Sequence, residues 1–522
     1  MMTNRHKVLI IGIGAALAFI MMTGTHLDSQ GVYYDELHQA PTAFWHLGKH
    51  PTMFNREFND IPILNMTYSG AIKSHIYGIY LRYISGRFTV YSWRLLGILF
   101  VAAGLCGFYM LAGRYLSPGT MLLFAALLLT DTTVILTTRF DWGPTALALA
   151  LRLMLIAMWL SLELGERTNW KLFGVGFIVG IAIFEKLAAV VLLGPLLLIL
   201  IGSRKLGRRG LAAAFAGGFL ATFPLAYANY SSYRHRYGFV SLLDMGTRQP
   251  IHLRQVMDFF YQILALGYGQ SARSMVLNMD TGATWLNLEV VLTLITIGVV
   301  SFVALKYRRA NIWMRLAATM VAAYLFVGIL IFMLPNATSV HHWIQVTPFQ
   351  YAAIALAHNG LSGRRLSRAA LMATAGLLLL TRVPNVATME RALAQGKASP
   401  TFDRSYVRLG ELVAANSHEA TFIEADWGTA TQIYCLSNGA DDVVHETFWG
   451  NDPARETRMV LETTKKNIVY VVLSGIGPEA RKIVADTVVN SPDWKEAPIE
   501  NETAAALSPI QIRKFLRVRA GG

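Results

Sequence analysis

This sequence predicts a polytopic α-helical membrane protein that ends in a soluble α/β domain, and three observations carry the prediction. Hydrophobic residues make up 54% of the 522 residues and charged residues only 15%, with a mean hydropathy of +0.41. A soluble core of that size needs more polar surface to cover it. About eleven apolar runs approach the roughly 20 residues that cross a bilayer. Beyond Pro384 the composition turns to that of an ordinary soluble chain. The net charge of +14 sits in short basic clusters between apolar runs, a pattern that marks cytoplasmic loops and excludes a nucleic-acid partner. Two cysteines, Cys106 and Cys435, exclude a disulfide framework.

The first run, Val8 to Thr25, follows Arg5 and Lys7, so the N-terminus is expected in the cytoplasm. Ala16-Leu17-Ala18 has the form of a signal-peptide cleavage site, but the run continues past it to Met22 and reads as a retained anchor. Further runs fall at 89–112, 119–137, 143–162, 171–185, 187–202, 210–229, 286–305, 314–334, 343–357 and 369–383. Basic residues mark alternate connections: Arg114; Arg167 and Lys171; Arg204, Lys205, Arg208 and Arg209; Lys306, Arg308, Arg309 and Arg315; Arg364, Arg365 and Arg368. That alternation places the C-terminus outside, which in a bacterial inner membrane means the periplasm.

Three outside segments are long. In the first, 27–88, Ile72, Ile76, Ile79 and Tyr83 share one helical face, with Lys73 and Arg82 among them, as in a helix lying in the headgroup layer. The second, 230–285, is rich in Tyr and Arg (Tyr230, Tyr233, Arg234, Arg236, Tyr237). The third, 385–522, predicts a helix over 406–415 and a short strand over 421–424. A strand at 468–473 leads through Gly475-Ile476-Gly477-Pro478 to a helix from Glu479. That glycine pair lacks the third glycine of a dinucleotide fingerprint.

Candidate chemistry gathers on the outer side. Asp35-Glu36, in Tyr33-Tyr34-Asp35-Glu36-Leu37-His38, follows the first span and is placed to act on a lipid-borne substrate. Arg139 and Asp141, Glu185 and Lys186, and His341 and His342 lie at outer ends of other spans, where a charge is costly without a role or partner. Each has a plainer reading. The acid pair solvates a loop, Asp141 caps the helix that Pro144 enters, Glu185 and Lys186 neutralise each other, and the histidines sit idle at the interface. Asp426-Trp427-Gly428 repeats the capping pattern in the soluble domain. Two histidines without a nearby carboxylate are a weak metal site, so no metal or other cofactor is expected.

These motifs resemble those of the GT-C superfamily of membrane glycosyltransferases. The likeness is to relatives of protein O-mannosyltransferases and lipid A aminoarabinose transferases (the family 39 type), over residues 1–384. Tyr34-Asp35-Glu36-Leu37-His38 resembles the Asp-Glu motif of the first outer loop, and Asp60 in Phe58-Asn59-Asp60-Ile61-Pro62 resembles its second aspartate. Thr138-Arg139-Phe140-Asp141 resembles the segment with a trailing aspartate, at a shorter spacing. Phe184-Glu185-Lys186 resembles the lysine-bearing hairpin. The resemblance implies a polyprenyl-phosphate sugar donor, membrane lipids as surroundings, and an envelope glycan, lipid or protein as acceptor. Asp35, beside Glu36, would then be the general base of an inverting transfer. Arg139, Lys186, His341 and His342 would attend the phosphate, with Lys73, Asp60, Asp141 and Glu185 in the donor site. A lipid-linked sugar flippase is the alternative, although no internal repeat is visible. A non-catalytic assembly protein whose C-terminal domain recruits envelope partners is the other.

Overall fold

The computed structural model describes residues 4–49, 56–66, 69–202, 207–235, 239–241, 270–279, 284–334, 340–424, 429–440, 444–447, 452–473 and 478–518. Arg236, Tyr237, Gly475 to Gly477, Asp426-Trp427-Gly428 and most of the second outer segment lie outside them. The chain divides into two compact units: Met1–Leu27, Arg56–Gly70 and Arg94–Lys397 form the first, and Asp28–Asn55, Ala71–Trp93 and Ala398–Gly522 the second.

The first unit is a multi-pass membrane unit. Among the described residues seven helices are long and apolar enough to cross a bilayer: His6–Thr23, Val90–Tyr115, Thr145–Leu164, Arg208–His235, Asn287–Tyr307, Ile312–Phe332 and Arg365–Ala394. An eighth span results if the pair Pro118–Leu129 and Thr132–Phe140, bent by 62°, is counted as one. This is fewer than the eleven expected. Helix Asn169–Glu185 has 17 residues and Thr347–Gly360 has 14; at 1.5 Å per residue both fall short of a hydrocarbon layer of about 30 Å. The former is held instead by close packing on Arg208–His235, where a Cβ on Gly176 would sit 1.9 Å from the Ala214 carbonyl oxygen. Small residues give helices that approach in the absence of a hydrophobic drive. The last span also runs past Pro384, which lies inside a 30-residue helix. The unit boundary therefore falls at Lys397 rather than at 384.

The bend at Thr130 and Asp131 is the costly feature, because it strands helix-end backbone groups away from water. Asp131 caps the second half, its Oδ1 accepting from the backbone N–H of Thr133 at 2.7 Å and of Val134 at 3.1 Å. Arg382 serves the first half, donating from Nη1 to the Leu127 carbonyl at 2.6 Å. The same guanidinium donates from Nε to Glu289 at 2.8 Å and from Nη2 to the Tyr351 hydroxyl at 2.6 Å. That hydroxyl in turn donates to Asp131. Asn385 completes the set, donating to the other Glu289 oxygen at 2.8 Å. Arg382, Glu289 and Asp131 are all buried.

The second unit carries a five-stranded sheet in the spatial order 444–446, 420–424, 468–473, 511–517 and 494–497. Its strands are β4 (Ala420–Glu424), β5 (Val444–Glu446), β6 (Ile468–Leu473), β7 (Trp494–Ala497) and β8 (Gln511–Arg517). Strand β4 pairs parallel with β5 and β6, whereas β8 runs antiparallel to β6 and β7. Alternate residues of β6 face opposite cores: Tyr470 and Val472 pack with Leu409, Phe422 and Ile433, and Val469 and Val471 with Val484, Val488 and Phe515. This is the two-residue period of a strand covered on both faces. The remaining strands, β1 (Arg56–Phe58), β2 (Ile61–Met66) and β3 (Ser69–Gly70), form an antiparallel meander in the first unit.

Replacing Arg382 by Leu leaves Asp131 and Glu289 buried without their cation, a change that costs about 3–5 kcal/mol. Thermal unfolding of the detergent-solubilised protein should show the loss as a clear drop in midpoint, and an unchanged midpoint would mean the network contributes nothing net. The charge-flank topology is checked separately: a reporter fused after Gly396 is expected outside the cytoplasm and one at Gly207 inside.

Candidate active site

In the second unit, Tyr33 is extended (φ −96°, ψ 151°) and leads into a one-turn helix, Tyr34–Leu37, that carries both acids. Adjacent positions on a turn point about 100° apart, and the two acids are treated differently. The Asp35 side chain keeps 27% exposure, whereas Glu36 is fully buried. Around Asp35 stand the Tyr33 hydroxyl, which donates to its carboxylate, and His38 Nδ1 at 3.9 Å. Burial, then the Asp35 charge and the hydrogen bond to it, push the Tyr33 phenol well above its ordinary value, so Tyr33 remains a donor. Trp93 fixes the turn by donating from Nε1 to the Glu36 carbonyl at 3.2 Å.

Lys73 departs from the headgroup position expected for it. It is buried, with Nζ 3.7 Å from the centre of the Trp93 ring, a desolvated cation–π contact. Ile76, Ile79 and Tyr83 are exposed, so the apolar face of helix Ile72–Tyr80 does point outward. Lys73, one residue on from Ile72, lies off that face.

In the first unit, helix Asn169–Glu185 ends at Lys186, whose extended backbone (φ −150°) forms an antiparallel bridge with Ser69. Glu185 and Lys186 are both buried. The Lys186 charge reaches His342, whose imidazole is held down to about 3 by burial and by that neighbour, so His342 is neutral at physiological pH. His341 and His342 lie with ring centres 4.1 Å apart, and Trp142 lies 6.4 Å from His341. Lys186, the two histidines and Trp142 thus form one cluster.

The other candidates have backbone work. Asp141, at φ 44°, ends helix Thr132–Phe140, and its Oδ1 accepts from the Ala146 N–H at 2.7 Å and the Thr145 hydroxyl at 3.1 Å; it caps the next helix. Arg139, fully buried, donates to the carbonyls of Thr23 at 3.2 Å and of His26, closing the C-terminal end of the first span. Asp60 is exposed and, with Asn59, takes the left-handed conformation (φ 65° and 47°) of the two-residue turn joining β1 to β2. That turn chemistry explains its residue type. Among the described residues no three His, Cys, Asp or Glu side chains are grouped to hold a metal ion.

Sequence reasoning missed Tyr33, His38 and Trp93 as neighbours of the acid turn in the second unit. In the first unit it missed Trp142 beside His341, and Arg152, which is buried and donates to Gln345 and to the Ala148 carbonyl at 2.7 Å. Gln345 closes the turn that follows His342, its N–H donating to the His342 carbonyl at 3.2 Å. The available signal was a charge inside the apolar run 143–162.

No family model and no curated protein matches the chain. Solved structures do. ArnT from Cupriavidus metallidurans in the apo state superposes with a TM-score of 0.60 at 12% identity, covering 98% of this chain and 97% of that one. The same protein bound to undecaprenyl phosphate gives 0.57 at 11% identity, with 98% of each chain covered. The chain thus shares the fold of ArnT. The arabinofuranosyltransferase AftD from Mycobacteria shares it at a TM-score of 0.51 and 12% identity, over 99% of this chain and 40% of that longer one. At these identities the likeness concerns architecture.

Proposed function

We propose that the protein is an inverting glycosyltransferase that moves a sugar from a polyprenyl-phosphate carrier to an envelope glycan, lipid or protein. The reaction would take place at the outer face of a bacterial inner membrane. The observation that carries this reading is the full-length likeness to ArnT, whose structure holds undecaprenyl phosphate. The N-terminus is then cytoplasmic and the C-terminal domain periplasmic, as the charged flanks imply.

In this mechanism Asp35 is the general base. It is half-buried, beside a hydroxyl donor, and free of the complete burial that excludes Glu36 from substrate. It takes the proton of an acceptor hydroxyl as the oxygen attacks the anomeric carbon. The bond to the carrier phosphate breaks from the opposite face, which inverts that centre. A phosphate leaves without needing a proton, so a fixed cation suffices to stabilise the charge it develops. Lys186 is assigned that role. His342, neutral beside it, is assigned a hydrogen bond to phosphate or sugar. Arg139 and Asp141 are assigned to the scaffold, given their backbone partners. The carrier's apolar chain stays in the bilayer throughout.

Reconstitution with a radiolabelled polyprenyl-phosphate sugar tests the reaction: label should pass covalently to an acceptor, and movement across the bilayer without transfer would make the protein a flippase. Asp35→Asn keeps the shape but removes the base, and turnover should fall roughly 100- to 10,000-fold with donor binding kept. Glu36→Gln should be milder; greater damage from it would transfer the base assignment to Glu36. Lys186→Gln should weaken use of the donor at limiting concentration, and normal transfer there would leave Lys186 a structural residue.

A further inference from the structure

We infer that the C-terminal domain is the positioning element for Asp35, and that Gln432 and Lys49 are the residues through which it acts. The inference rests on the reading of Asp35 as the base.

The acid turn is gripped on both sides by one short stretch of the C-terminal domain, about 400 positions later in the chain. Before the turn, the Gly31 N–H donates to the Phe402 carbonyl at 2.7 Å. A Cβ on Gly31 would fall 1.8 Å from the Asp403 carbonyl oxygen, so only glycine fits. The Tyr33 ring lies 5.5 Å from that of Phe402. Three residues ahead of Asp35, the Val32 carbonyl accepts from Gln432 Nε2 at 2.7 Å, and both residues are buried. Gln432 sits on helix Thr429–Leu436, which packs against the acid-bearing turn Tyr34–Leu37.

Beyond the turn, Phe44 meets Tyr434 of that helix edge-on at 5.2 Å. Lys49 then donates from Nζ to the carbonyls of Asn438 and Gly439, the latter at 2.9 Å. These residues lie just past the end of the helix, whose Ile433, Tyr434 and Cys435 carbonyls accept from the backbone N–H groups of Ser437, Gly439 and Asn438. An ammonium beside that C-terminal end is favoured by the helix dipole as well as by its own two hydrogen bonds. The backbone at 31–49 is thereby fixed at both ends to one rigid element. A loop of this kind, tied only to its own neighbours, would leave Asp35 free to wander. Displacement of about 1 Å costs on the order of 100-fold in rate.

The test uses the full-length protein in proteoliposomes, with kcat and donor KM measured separately. Gln432→Leu keeps the bulk but strands the Val32 carbonyl, and kcat should fall about 10- to 100-fold with donor KM little changed. Lys49→Met should lower kcat in the same sense, and Lys49→Arg, which still donates to both carbonyls, should restore it. Added to Asp35→Asn, Gln432→Leu should cause no further loss, since a base that is absent has no position to lose. Wild-type kcat in Gln432→Leu and Lys49→Met, with Asp35→Asn inactive, overturns the inference and leaves the base assignment standing. So does a loss that multiplies with that of Asp35→Asn, the mark of a general structural defect. Full turnover in Asp35→Asn overturns the base assignment first, and the inference with it.

Discussion

A break in a membrane-depth helix pair has to be supplied with hydrogen bonds, and Arg382 is where this protein supplies them. The bend between Pro118–Leu129 and Thr132–Phe140 exposes carbonyls on one side and amides on the other. Asp131 answers the amides, and Arg382 answers a carbonyl while neutralising Asp131 and Glu289. Removing water raises the cost of each unpaired group, so the members stand or fall as a set. The half-helix that starts at this break ends at Arg139 and Asp141, whose side chains close the first span and open the next. The geometry at this end of the membrane unit descends from that sequence of caps.

The same economy of backbone satisfaction governs the acid turn. A one-turn helix has no stability of its own. Tyr34–Leu37 persists because Trp93 bonds the Glu36 carbonyl, Gln432 bonds the Val32 carbonyl and Lys49 is tied to residues 438 and 439. Burial then gives two adjacent carboxylates different surroundings. Glu36 is enclosed, and Asp35 stays accessible beside Tyr33 and His38.

Several residues that read alike in sequence have different surroundings within the fold. Asp35, Asp60 and Asp141 are all aspartates of segments expected on the outer side. One lies partly exposed on the acid turn, one occupies a left-handed turn position and one caps a helix. Lys73 and Lys186 both read as cations for a phosphate. Lys73 is stacked on Trp93, and Lys186 stands beside His342. Composition marks where a charge is unusual; only its partners say what it does there.

By itself the sequence determined the multi-pass membrane class and most of its apolar helices, and it located the strands near 421–424 and 468–473. These follow from local hydropathy and from helix and strand periods, which short windows of residues carry. The runs at 171–185 and 343–357 fold as helices of 17 and 14 residues, and the first packs closely on Arg208–His235 at Gly176. Tertiary structure also decided that residues 28–55 and 71–93 form a compact unit with the C-terminal sheet. It decided, too, that charges at 131, 289 and 382 are one network. Those pairings join residues separated by up to 400 positions, and no periodicity in a single chain encodes a partner at such distance. They are selected by the need to pair every buried polar group, and that need is defined only once the chain has folded.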